Sequence, residues 1–118
     1  MRSDARVEEL NKTLMAYLES RSSKALGVIS ELKNIGMETG DDGLIGYAYY
    51  RYAYYYYFTN QDMKKFRRNL QKAISYLLRS NNREYLVGSY NLVAYDAQDL
   101  GMYDIAYAYF MVDRKSVV

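Results

Sequence analysis

Residues 44–59 read LIGYAYYRYAYYYYFT, with eight tyrosines between Tyr47 and Tyr57. No other stretch restricts the fold so tightly. Tyrosine favours strands, so local propensity pulls toward β. The run is about sixteen residues long, however, which is too long for a typical strand. Turn signals bound it on both sides, Gly40-Asp41-Asp42-Gly43 before it and Asn60-Gln61-Asp62 after it. The pattern predicts a helix over 44–59. Such a helix would be wet on almost no face, and each phenol hydroxyl buried with it needs a hydrogen-bond partner. The rest of the chain must therefore cover it from several directions.

The flanking sequence supplies amphipathic helices that can do this. From about Asp4 to Ser20, Val7, Leu10, Leu14, Tyr17 and Leu18 recur at spacings of three and four, the period of one helix face. Asp4 is the expected N-cap. After the polar turn Ser20-Arg21-Ser22-Ser23, a second segment runs from Lys24 to about Glu38, with Ser22 or Ser23 as its cap. Its apolar set is Ala25, Val28, Ile29, Leu32 and Ile35. The fourth segment, Met63 to Ser80, has the clearest stripe, formed by Met63, Phe66, Leu70, Ala73 and Leu77. A fifth runs from Glu84 to about Leu100 and is closed by Gly101, where a left-handed conformation costs glycine nothing. The sixth runs from Met102 to about Arg114.

The residue types that are missing narrow the function. The 118 residues include no Pro, Cys or His. Without Cys there are no disulfides, thiolate nucleophiles or zinc–cysteine sites. Without His the commonest general base and the commonest transition-metal ligand are gone. Asp41-Asp42 reads as a turn or cap, since two carboxylates alone make a poor metal cage. Asp96 and Asp99 lie three apart on one helix, with no nucleophile or electrophile beside them. The expectation is a chain with no catalytic residues, no cofactor and no metal. No apolar run approaches the roughly 20 residues a membrane-spanning helix needs, and Met1 to Glu9 has no apolar signal-peptide core. No membrane contact and a cytoplasmic location are expected.

The six segments form three helix pairs covering about residues 4–39, 44–80 and 84–114. The third pair carries Tyr90, Val93, Ala94, Ala97, Gly101, Tyr103, Ala106 and Phe110. The second carries Tyr50, Ala53, Tyr54 and Tyr57, then Gln61, Met63, Phe66, Leu70 and Ala73. The first keeps Ala25 and Ile29 in its second helix. This resembles the tetratricopeptide pattern: an aromatic opening helix A, a hydrophobic–small pair one turn on, Gly at the turn, then an aromatic and small residues along helix B. Ala97 departs from the family's late aromatic, Asp113 from its late small residue, and Phe66 from another small position. Ala25, Phe66 and Ala106 are equivalent positions at spacings of 41 and 40, longer than the family's repeat of about 34.

The resemblance implies an all-α, right-handed superhelical stack of three antiparallel helix pairs that serves as a protein- or peptide-binding module. Hairpins of about 40 residues opening on Leu44-Ile45-Gly46-Tyr47-Ala48-Tyr49-Tyr50 are also similar to N-terminal sensory regions of bacterial signalling proteins. Diguanylate cyclases with a C-terminal GGDEF domain are the first example, beside histidine kinases and helix-turn-helix regulators. No GGDEF motif occurs here, so cyclase activity is not implied for this chain. In such a stack the last repeat needs a polar cap. The sequence instead ends at Lys115-Ser116-Val117-Val118 after an apolar stripe of Tyr103, Ala106, Tyr107, Phe110 and Met111. That suggests an N-terminal piece of a longer protein, or an open end covered by a partner or by self-association.

In the family-like register Tyr47, Tyr50, Tyr54 and Tyr57 face neighbouring helices. Arg51, Tyr55 and Phe58 point toward the concave surface, joined by Asn91, Tyr95, Gln98 and Asp99 from the third pair. Arg51 and Asn91 then form a donor-rich patch suited to a peptide backbone or carboxylate. The Lys and Asn set of the carboxylate-clamp tetratricopeptides is not reproduced. Two other readings stand beside this one: a small-molecule sensor pocket lined by tyrosines, and a dimerisation module built on the uncovered sixth helix. Lys64, Arg68 and Lys72 share one face of the fourth segment, expected to be a solvated convex surface with no nucleic-acid partner.

Overall fold

The structure, a computed structural model, describes residues 2–112, with side chains from Asp4 onward. Six helices follow one another: α1 Arg2–Glu19, α2 Ala25–Thr39, α3 Asp42–Phe58, α4 Met63–Leu78, α5 Arg83–Asp99 and α6 Tyr103–Phe110. The described residues contain no strand. The tyrosine run is helical throughout, so tertiary covering overrides its local β preference. The expected extension of the sixth helix toward Arg114, the Asp113 position and the 115–118 tail lie outside the described residues.

Three helix starts share one device. Asp41, Asp62 and Asn82 accept from the amides of Leu44, Lys65 and Tyr85 at 3.1, 3.1 and 3.3 Å. Each satisfies an N–H that the first turn would otherwise leave unpaired. Two of the expected caps are corrected. Asp4 is not a cap, because α1 begins at Arg2 and Asp4 lies in its first turn, where the helix dipole still favours a carboxylate. Neither Ser22 nor Ser23 caps α2: Lys24 occupies that position in a helical conformation with no side-chain bond, and Ser22 Oγ accepts from the Lys24 amide at 3.1 Å. The tight turn Tyr17–Ala25 starts α2 with backbone bonds instead. Gly101 behaves as expected, with φ +77° and the Met102 amide bonded to the Ala97 carbonyl at 2.8 Å.

Each helix packs against the next in sequence, and α3 also reaches α5. Leu10, Leu14 and Leu18 of α1 meet Val28, Ile29 and Leu32 of α2 and Tyr47, Ala48 and Tyr55 of α3. Ala53 of α3 meets Phe66 and Leu70 of α4 and Leu92 of α5. Each fully buried aliphatic side chain in these clusters contributes about 1.5–3 kcal/mol. Helices α3 and α4 pack tightly at Gly46, where a Cβ would fall 2.6 Å from Leu77 Cγ. Every α3 residue except Phe58 is at least half-buried. The tyrosine helix is thus the centre of the molecule, with its neighbours on all sides.

Candidate functional site

Two walls of α3 carry its tyrosines, and the first of them surrounds a cation. Arg51 is only 8% exposed. Its guanidinium carbon lies 5.2, 5.1, 5.5 and 5.6 Å from the ring centres of Tyr47, Tyr50, Tyr54 and Tyr85. The first three rings come from α3 itself, at separations that put them near one face; the fourth comes from α5. Aromatic faces attract a cation more strongly when water is excluded. Arg51 Nε donates to the Tyr47 hydroxyl at 3.0 Å, and that hydroxyl donates to Asn11 Oδ1 of α1. The chain Arg51–Tyr47–Asn11 therefore ties the two helices together.

Among the described residues Arg51 forms no ion pair, and its two terminal nitrogens donate no hydrogen bond. No buried side-chain nitrogen or oxygen among them is left without a partner, so those nitrogens keep access to solvent. Burial works against the charge of Arg51, but the phenol oxygens of Tyr47, Tyr50 and Tyr85 outweigh it and raise its pKa. Burial likewise raises the pKa of Tyr47 and Tyr50, with Arg51 partly offsetting the shift. At neutral pH the site is one cation among neutral phenols.

Tyr47 and Tyr85 also line a cleft of about 1070 Å³. Asp4, Val7, Glu8 and Asn11 of α1 form one side, Leu44 and Tyr47 of α3 the floor, and Tyr85 with the turns at Asp41 and Asn82 the other side. Four carboxylates line it, Asp4, Glu8, Asp41 and Asp42, against a single described cation, Arg79. Arg79 pairs with Asp42 at 3.7 Å, and Asp41 is engaged as the α3 cap. Asp4 and Glu8 lie one helical turn apart on the same face of α1.

The residues expected on one concave surface separate into three environments. Arg51 does not face an open surface but sits in the tyrosine cage, whose contacts are to rings and not to Asn91. Tyr55 is 4% exposed and packs in the core with the α1 and α2 leucines; position 55 turns toward the first pair because α1 covers that side of α3. Asn91 is half-buried and Gln98 exposed. Phe58, Tyr95 and Asp99 do come together. Phe58 and Tyr95 lie edge-on at 6.3 Å, Tyr95 meets Phe110 of α6 at 5.4 Å, and Tyr57 donates to Asp99. Burial and that hydrogen bond push the Tyr57 pKa up. Of the tyrosines expected to face neighbours, Tyr47, Tyr50 and Tyr57 each touch α5 residues, while Tyr54 packs on Phe58.

Sequence reasoning missed the cleft itself. Its carboxylates come from α1 and from the turn before α3, which no periodicity joins. It also missed the bidentate pair between Arg67 and Asp96, at 2.9 and 2.8 Å, which ties α4 to α5. On α6, Tyr103, Ile105 and Tyr107 are exposed while Ala106 is buried. No helix of the described residues is long and apolar enough to cross a membrane. The described residues hold no group of three or more acidic side chains placed to bind a metal. Compared with protein families, curated proteins and solved structures, the chain has no match.

Proposed function

We propose that this chain is a protein- or peptide-binding helical repeat module, its hairpins stacked as a tetratricopeptide-like right-handed superhelix. The cleft between α1 and α5 is the binding surface in this reading. The observation that carries it is a cleft of about 1070 Å³ floored by the central helix and lined by four carboxylates, Asp4, Glu8, Asp41 and Asp42. A cleft of that volume accepts several residues of an extended chain. Its carboxylates favour a ligand segment bearing Lys or Arg, since opposite charges across an interface steer encounter and fix orientation. The wider setting proposed is the sensory or scaffolding region of a bacterial signalling protein such as a diguanylate cyclase, on the resemblance of the helix pairs alone.

Panning a displayed random-peptide library on the immobilised chain tests the reading. Enriched peptides should be basic, and the double variant Asp4→Lys, Glu8→Lys should weaken them about tenfold or more, as expected for loss of charged hydrogen bonds. Peptides that bind the double variant as tightly as the original chain would remove the cleft from consideration.

A further inference from the structure

The other wall of α3 faces a second concavity, and its chemistry is the reverse of the first. Tyr47 and Tyr56 are nine residues apart, about two and a half helical turns, so they point to opposite sides of α3. On the Tyr56 side, Tyr49, Tyr52 and Tyr56 floor a groove of about 410 Å³ between α2 and α4. Lys33 reaches into it from α2, and Lys65, Arg68 and Lys72 from α4. No carboxylate lines it.

The three lysines are held in place. Lys33 Nζ lies 5.6 Å from the Tyr49 ring centre and 5.9 Å from that of Tyr52. Lys72 Nζ lies 5.4 Å from Tyr49, and Lys65 Nζ 5.4 Å from Tyr56. Ammonium groups seated near ring faces are drawn toward the groove floor, where free lysines would extend into water. None of the four has an acidic partner within ion-pair distance among the described residues. The described pairs engage Arg6, Lys12, Arg67 and Arg79 instead. A chain with a formal net charge of only +2 thus gathers four unpaired cations in one groove, an arrangement that a bound anion stabilises.

The face differs from the solvated stripe expected of α4. That stripe joined Lys64, Arg68 and Lys72. In the fold Lys65 takes the place of Lys64, and Lys33 joins from 39 positions earlier in the chain than Lys72. A single carboxylate would neutralise one of the four charges. A polyphosphate group presents several charges and many acceptor oxygens within the span of the groove. The volume lies within the range of about 300–1,000 Å³ typical of small-molecule sites. We propose that this groove binds a polyphosphate group carried by a small molecule, either inorganic triphosphate or a nucleoside triphosphate whose ring lies against Tyr52 and Tyr56.

Titration calorimetry of the full chain at low ionic strength tests this with three probes: sodium triphosphate, ATP and a single-stranded oligonucleotide. Triphosphate and ATP should each bind one per chain. Lys72→Gln and Lys33→Gln should each lower affinity about tenfold, the cost of one charge-assisted contact, and Lys65→Gln should act in the same direction. These side chains lie at the surface, so thermal melts should confirm unchanged folding. Equal affinity for triphosphate and ATP would mean that charge alone is recognised; tighter ATP binding would assign the tyrosine wall to the nucleoside. Absence of binding by both at low salt would overturn the proposal, as would affinity that survives the three substitutions. So would tighter binding of the oligonucleotide with a salt dependence steeper than four cations can produce.

Discussion

The two concavities flanking α3 are built from the same residue type and end with opposite charge. Toward α1 and α5, tyrosines enclose one buried cation behind a cleft edged by Asp4, Glu8, Asp41 and Asp42. Toward α2 and α4, tyrosines underlie Lys33, Lys65 and Lys72 at the surface of a groove without carboxylates. A phenol ring accepts a cation on its face in either setting. What differs is depth. Arg51 is 8% exposed among its rings, whereas Lys33 is half-buried and Lys65 and Lys72 are exposed, available to an outside anion. The formal charge of +2 averages over the two faces and hides both.

Alkaline pH should produce the largest effect, because it strikes both sides of α3 together. Tyr47 and Tyr50 on the cleft side and Tyr52 on the groove side have pKa values above the ordinary 10, chiefly through burial. A group whose folded pKa is raised contributes stability that is complete below its unfolded pKa and is lost as pH rises through the folded value. Urea midpoints should therefore hold steady between pH 7 and 9 and fall steeply beyond about 10. A midpoint unchanged at pH 11 would mean that the phenols ionise equally well in the fold.

Arg51→Ala separates the two sides. It removes a buried side chain from the tyrosine cage behind the cleft and should cost about 2–4 kcal/mol by urea unfolding, in the range of other large-to-small core changes. Arg51→Met refills the volume without the charge and should recover about half of that loss, the remainder being the cation–ring attraction. Full recovery would reduce Arg51 to a space-filler. In either variant triphosphate binding in the groove should persist.

Gly46→Ala probes the groove side with a smaller effect. The added methyl meets Leu77 at 2.6 Å and must push α4 away from α3. The cost should be about 1–3 kcal/mol, as for other overpacked sites, less the helix-propensity gain of alanine. Triphosphate affinity should fall with it, since Lys65, Arg68 and Lys72 ride on α4. A variant as stable as the original, with intact binding, would show that the α3–α4 spacing is not what sets the groove.

Much of the helical layout is legible in the chain. The stripes at Leu10, Leu14 and Leu18 and at Phe66, Leu70, Ala73 and Leu77 mark buried faces directly, because a helix repeats its face every three or four residues. Gly101 and the Asp41 and Asp62 turns mark ends through local backbone chemistry. The site was legible only in fragments. Phe58, Tyr95 and Asp99 were expected on one surface and do lie together, but Tyr55 turned into the core and Arg51 into a cage of rings. Their fate depends on how far α1 and α5 rotate around α3, and no short-range spacing encodes that angle.

The sequence by itself determined the six helices, the need to cover the tyrosine run from several directions, and the absence of His and Cys chemistry. These follow from periodicity, turn residues and composition, which act over a few positions. Only the tertiary structure decided which tyrosines enclose Arg51 and which underlie the lysines, and it alone divided the charges between two faces. That division is set by close packing at contacts such as Gly46 with Leu77 and Tyr47 with Asn11, which join residues about 30 or more positions apart. Side-chain volumes at those crossings fix each helix's rotation, and the rotation selects the face on which every charge emerges.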